Sequence, residues 1–177
     1  AKVWRRKKSV YHHGNMWFVT CSHWLARQAK MSGLLRDISV RSIPNPIDTH
    51  LFEPQDKQAA RKRLRLPEDK RLVLFVSQRV TDQRKGMDYF VEAIEKMVAE
   101  YPEMKENTGI AILGGHAEEL EGKLALPVHP IGYVSDQQQI RDVYNAANVF
   151  VLPSLEDNLP NTIMEAMACG VPCVGFK

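Results

Sequence analysis

Three cations stand close together at Arg79, Arg84 and Lys85, directly ahead of Gly86. A guanidinium grips planar pairs of oxygens and an ammonium supplies a compact charge, so this grouping suits an anionic ligand such as a diphosphate. A helix starting after Gly86 would add the positive end of its dipole to the same field. On position alone, a solvated basic loop is the competing reading. Further along, Leu155-Glu-Asp-Asn-Leu-Pro160 precedes Glu165, so Glu156 or Asp157 can share a cleft with Glu165. Ionised carboxylates there accept hydrogen bonds from sugar or ribose hydroxyls, with helix capping and solvation as the alternatives. Asn158 offers both donor and acceptor atoms, and Leu159–Pro160 stiffens the turn.

Other reactive side chains carry less. Gly114–Gly115 lets a backbone approach a ligand, but two glycines after a strand also make an ordinary tight turn. His116 reads as a loop residue with no matching nucleophile. His12 and His13 lie in a basic, loosely patterned stretch without spaced cysteine or carboxylate partners, and no metal site is expected. Cys21, Cys169 and Cys173 are an odd count without a dense secreted framework, and Cys21 and Cys169 sit beside apolar or small residues, which predicts buried free thiols in a reducing compartment.

The elements that must hold these loops follow from hydrophobic patterning. Trp17–Thr20 reads as a short strand, Ser22 as the cap of a helix running from His23 to Met31, and Ile38–Ile43 as a further strand stopped by Pro44-Asn-Pro46. A helix is expected over 56–64. Leu72-Val-Leu-Phe-Val76 is continuously apolar, which predicts a central parallel strand covered on both faces. Met87, Phe90, Val91, Ile94, Met97 and Val98 recur at helical intervals, and Gly109–Leu113, Val128–Ile131, Val149–Leu152 and Pro172–Gly175 read as strands, with helices around 140–147 and 163–167. Strands alternating with helices predict an α/β architecture with a parallel sheet, in which ligands bind where the loops leave the strands' carboxyl ends. The loops at 77–86, 114–119 and 153–165 are therefore the places for chemistry.

A length of 177 residues suffices for one domain with part of another. Residues 1–43 are expected to be a remnant of one domain, 44–54 a linker, and 55–177 most of a second domain. The formal charge of +3 is too small to demand a nucleic-acid or membrane partner. Residues 1–50 nevertheless hold nine Lys and Arg against Asp37 and Asp48. The Arg5–Lys8 run is too short to establish nucleic-acid binding, and a solvated basic face is the plainer reading. No apolar run reaches the length of a membrane span, and no signal peptide is evident. The start without Met and the end straight after an apolar run read as those of a cut fragment.

The segment Leu152-Pro-Ser-Leu-Glu-Asp-Asn-Leu-Pro-Asn-Thr-Ile-Met-Glu-Ala-Met-Ala-Cys-Gly-Val-Pro172 resembles the donor-site signature of the retaining glycosyltransferases of family 4, which have the two-domain GT-B architecture. Ser42-Ile-Pro-Asn-Pro-Ile-Asp-Thr-His-Leu-Phe-Glu-Pro54 resembles the junction between their domains, and Thr20-Cys-Ser-His-Trp-Leu a late strand–helix unit of their acceptor domain. The signature has two glutamates with seven residues between them, and counting back from Glu165 lands on Asp157, a shorter carboxylate.

The resemblance implies a truncated Rossmann-like donor-binding domain with a small acceptor-domain remnant. It gives Asp157 a donor-sugar contact and Glu165 a ribose-hydroxyl contact, with Asn158, Leu159 and Pro160 presenting backbone to sugar and phosphates. Arg79 and Lys85 would hold the diphosphate. Their interval is one residue longer than the family's, so either Arg79 or Arg84 supplies the guanidinium. Gly132, Tyr133 and Val134 look like the element that meets the base. The implied reaction moves a sugar from a UDP-sugar or GDP-sugar to an acceptor hydroxyl with retention, in glycan or polysaccharide biosynthesis, without a metal or other cofactor. The carboxylates are not a glycosidase pair, which would flank a glycosidic bond. The acceptor would be a carbohydrate or a lipid-linked one, and the location cytoplasmic, extending to peripheral contact with the inner face of the cell membrane. The fragment alone is expected to be inactive. The alternative is a non-catalytic nucleotide-sugar-binding or regulatory protein of the same fold.

Overall fold

The computed structural model describes residues 2–80 and 82–176. They form two compact units, one reaching to Pro46 and taking in Asn158–Pro160, the other made of Ile47–Asp157 and the chain from Asn161. Among the described residues no helix is long and apolar enough to cross a membrane.

In the first unit, α1 (Lys2–His13) precedes β1 (Phe18–Thr20), α2 (His23–Met31) and β2 (Val40–Ser42). β1 and β2 pair in parallel, and the Ser22 side chain caps α2 by accepting from the Leu25 amide at 3.1 Å, as its position ahead of the helix predicts. α1 has no counterpart among the sequence expectations. Its Val3–Trp4 and Val10–Tyr11 pairs are separated by the Arg5–Lys8 run, which interrupts any apolar stripe, and none of its side chains is buried.

The second unit contains α3 (Lys57–Leu64), β3 (Arg71–Arg79), α4 (Met87–Glu100), α5 (Met104–Asn107), β4 (Thr108–Gly115), β5 (Val128–Gly132), α6 (Gln137–Ala146), β6 (Val149–Leu152), α7 (Asn161–Ala168) and β7 (Cys173–Gly175). Five parallel strands stand in the order β5-β4-β3-β6-β7. β3 is central and its alternate residues serve opposite faces. Val73 and Phe75 pack with Phe90, Ile94 and Val98 of α4, whereas Leu74 packs with Val143, Tyr144 and Phe150. Two-sided burial is why this strand is an unbroken apolar run. Each large side chain so buried contributes roughly 1.5–3 kcal/mol. Ile47, Leu51 and Phe52 also pack into this unit, so the chain joins its core directly after Pro46. The thiols differ from the expectation of uniform burial: Cys169 is buried, but Cys21 and Cys173 are half-buried.

Two arginines fasten α3. Arg61 is buried and donates to the carbonyls of Glu68, Lys70 and Ala146 at 3.1, 2.8 and 2.9 Å and to Asn148 Oδ1 at 2.7 Å. Arg63 grips the buried Asp142 of α6 through Nε at 2.6 Å and Nη2 at 3.0 Å. Burial alone would raise Asp142, but hydrogen bonds from Arg63 and Arg141 outweigh it and hold the carboxyl below its ordinary value. A depressed carboxyl stabilises the fold above its unfolded-state pKa and loses that contribution as the pH falls through the folded value. Asp142→Asn is therefore expected to lower the urea midpoint at pH 7, with the difference from the native chain shrinking as the pH is taken below 4.

Candidate functional site

Consecutive strands β3, β4 and β5 run outward on one side of the sheet, and β6 and β7 on the other. The order thus reverses between β3 and β6, which opens a crevice at their carboxyl ends. The loops leaving these two strands are those that carry the cations and the carboxylates.

After β3 the chain makes a 3-10 turn over Gln83–Lys85, capped by Asp82, and then enters α4 through Gly86 at φ 71°. The α4 N-terminus has no side-chain cap, so its first amides point outward as donors. Three contacts join this loop to the one after β6. The Leu155 amide donates to the Arg84 carbonyl at 2.9 Å, Lys85 Nζ meets Asp157 Oδ2 at 2.7 Å, and Gly86 lies so close to Pro153 that a Cβ would overlap the Pro153 carbonyl oxygen. The Lys85 and Asp157 side chains are 27% and 24% exposed, so the pair is partly open to solvent. Arg84 turns to Asp82 at 3.0 Å, and their hydrogen bond holds the Asp82 carboxyl below its usual range. Arg79 is exposed and makes no ion pair among the described residues.

Two cavities meet at Ser77 and Gln78. One, of about 410 Å³, is lined by Ser77, Gln78, Arg79, Asp82, Arg84 and Lys85. The other, of about 180 Å³, is more apolar and is bounded by Gly114, Tyr133, Val134, Tyr144, Thr162 and Glu165 among others. Their common wall arises from register: Val76 pairs with Leu113 and Arg79 with Gly115, so Ser77 and Gln78 together face Gly114. This β-bulge tilts the end of β3 into the crevice. Gly114 must be glycine there, because its φ of 147° and its approach to the Ser77 carbonyl oxygen leave no room for a Cβ.

Glu165, on α7, accepts a hydrogen bond from the Tyr144 hydroxyl at 2.7 Å. Burial, and then the Glu165 charge, push the Tyr144 phenol far above its ordinary value, which keeps it a proton donor. Tyr133 projects at 74% exposure beside the open turn at Gly132, where φ is 78°. Asn158 belongs to the first unit, where its Nδ2 donates to Cys21 Sγ at 3.0 Å and its Oδ1 accepts from Ser22 Oγ. Leu159, in the same short segment, has a left-handed φ of 53°. His116 pairs with Glu119 at 2.8 Å and lines neither cavity.

Arg79, Arg84, Lys85 and Asp157 are therefore gathered around one mouth, and Tyr133, Val134 and Glu165 around the adjoining hollow. Ser77, Gln78 and Thr162, which lie in the expected loops but carry no individual signal, join them, and so does Tyr144 from outside those loops. The bulge depends on pairing between strands, and Tyr144 is spaced as a core residue, so neither had a local signal. The adjoining hollow pairs an apolar wall with a carboxylate able to accept from hydroxyls, and the cations of the mouth are of the kind that pair with anionic oxygens.

Residues 70–177 match the family described as glycosyl transferases group 1. D-inositol 3-phosphate glycosyltransferase 2 of Catenulispora acidiphila is 32% identical over 152 residues, which cover 77% of this chain and 34% of that protein. The sucrose-phosphate synthase of Thermosynechococcus elongatus is similar in structure with a TM-score of 0.73 at 25% identity, covering 98% of this chain and 43% of its own. HepE of Anabaena, solved with UDP and glucose, has the same fold with a TM-score of 0.75 at 18% identity, covering 98% of this chain and 48% of its own. The chain spans about a third of the length of the curated relatives it matches.

Proposed function

Because the chain belongs to the group 1 glycosyl transferases and its second unit has the Rossmann-like fold of a GT-B C-terminal domain, we propose that it forms the donor site of a retaining, family 4 enzyme. That enzyme moves a sugar from a UDP-sugar or GDP-sugar to an acceptor hydroxyl, in glycan or polysaccharide biosynthesis. The observation that carries this reading is the pair of cavities joined at Ser77–Gln78, one cationic and one ending on the Glu165 carboxylate. A nucleoside diphosphate has the same two-part character.

In this reading the base lies near Gly132–Val134, the ribose hydroxyls meet Glu165, and the diphosphate crosses the bulge to Arg79 or Arg84, Lys85 and the open end of α4. Asp157, beside Lys85, reaches the donor sugar. The bond from the anomeric carbon to the phosphate oxygen breaks as the acceptor oxygen bonds to that carbon on the same face, and the acceptor proton passes to the departing diphosphate. Fixed cations gain most when charge accumulates on the leaving group, which is how such a site lowers the barrier. UDP and GDP titrated calorimetrically into the chain are expected to separate, one binding clearly more tightly. Absence of binding by both would defeat the donor-site reading.

A second reading, a nucleotide-sugar-binding protein without turnover, draws on Asp157, whose shorter carboxylate is engaged by Lys85 at 2.7 Å. Nucleotide binding by the complete protein with no transfer across a broad panel of donors and acceptors would favour it.

A further inference from the structure

Tyr144 is 1% exposed, and its ring lies against Phe52 and Phe150 at centroid distances of 6.2 and 6.0 Å. Hydrocarbon surrounds the ring, so packing alone would be met by phenylalanine. The hydroxyl does something else: it leaves this apolar cluster and donates to Glu165 Oε2 at 2.7 Å, at the wall of the hollow that both residues line. An ionised carboxylate offers about four lone-pair positions. Tyr144 occupies one, at Oε2, leaving Oε1 and the remaining acceptor capacity for the cavity. A glutamate swings on three torsions, and fixing it before a ligand arrives removes an ordering cost from binding.

We propose that Tyr144 is a positioning residue that holds the Glu165 carboxylate where it accepts two neighbouring ribose hydroxyls, and so makes the site select a ribonucleotide over its 2′-deoxy counterpart. This rests on the assignment of Glu165 to ribose recognition. A merely structural role, with Glu165 serving to satisfy a buried phenol, also accounts for the hydrogen bond but predicts no effect on that selection. The two are distinguishable because a ratio of affinities for two ligands is insensitive to a partly unfolded sample: any loss of competent protein scales both apparent constants equally.

The test is calorimetric titration of the complete protein with UDP or GDP, whichever binds, and with the matching 2′-deoxynucleoside diphosphate. It is run on the native protein, Tyr144→Phe, Glu165→Gln and the double variant, with thermal unfolding recorded for each. The native protein is expected to favour the ribonucleotide about tenfold or more, and Glu165→Gln to flatten the preference. Tyr144→Phe is expected to reduce the preference roughly three- to tenfold while leaving affinity for the deoxy ligand nearly unchanged, and the double variant to lose no more than Glu165→Gln alone. If Tyr144→Phe weakens both ligands equally, or keeps the ratio while Glu165→Gln abolishes it, Tyr144 has no positioning role and the ribose assignment stands. If Glu165→Gln itself leaves the ratio intact, the ribose assignment falls, and with it the proposal.

Discussion

Lys85→Ala is expected to slow sugar transfer by the complete protein about tenfold to a hundredfold, the equivalent of roughly 1.5–3 kcal/mol for one hydrogen-bonded charge. The ammonium has three donors, so it can keep Asp157 at 2.7 Å and still give a hydrogen bond to a phosphate oxygen. Its removal has two consequences. On the donor-site reading, the diphosphate loses a cation just where negative charge builds as the anomeric bond breaks, and the Asp157 carboxylate no longer has the Lys85 charge beside it. Both act more strongly on the transition state than on the bound donor, so kcat should fall further than donor affinity. Lys85→Ala combined with Asp157→Asn should recover part of the loss if repulsion contributes. Of the two arginines, Arg84 is already engaged by Asp82 at 3.0 Å, so Arg79→Ala should cost more than Arg84→Ala. Steady-state kinetics against donor concentration, with circular dichroism to confirm folding, would check these expectations. Unchanged turnover in a folded Lys85→Ala variant would remove the basic mouth from the reaction.

The contrast between Lys85 and Tyr144 explains how far the sequence could be read. Lys85 lies next to other cations and ahead of a helical apolar stripe, so composition and periodicity within a few residues mark it. The same holds for β3, whose run from Leu72 to Val76 reports burial on two faces, and for α4. Even the cleft was legible in outline, because loops leaving parallel strands are where ligands gather. Strand order was not, and the reversal between β3 and β6 is what brings the loops after those two strands together. Ser77 and Gln78 reach the candidate site through a register shift between β3 and β4 that Gly114 permits, a fact about two strands at once. Helical periodicity places Tyr144 on the core face of α6, correctly, but says nothing of the atom at the ring's far end. Glu165 accepts that hydroxyl from across a gap of strand and loop. Local patterns specify faces; tertiary register specifies tips.

Gly86→Ala tests whether the two loops must be held together for the site to exist. Its backbone stands at φ 71°, where an L side chain costs about 1 kcal/mol, and its Cβ would overlap the Pro153 carbonyl oxygen. No rotamer change relieves an overlap between a Cβ and a neighbouring backbone, so one loop must move. Overpacking of this kind adds roughly 1–3 kcal/mol, for a total of about 2–4 kcal/mol. For a chain of this size the melting temperature should drop by roughly 5–15 °C. Gly122 supplies the control, because its φ of 75° is equally left-handed yet a Cβ there would meet nothing within 4 Å. Gly122→Ala should therefore show the conformational cost alone. If only steric separation of the loops matters, nucleoside diphosphate affinity at a temperature where both variants are folded should fall about tenfold or more in Gly86→Ala and stay native-like in Gly122→Ala. The reason is geometric: displacing Pro153 breaks the line from Leu155 to Arg84 and draws Asp157 away from Lys85, so the cations lose their common orientation. Equal melting temperatures for the two variants would show that the Gly86–Pro153 contact constrains neither loop.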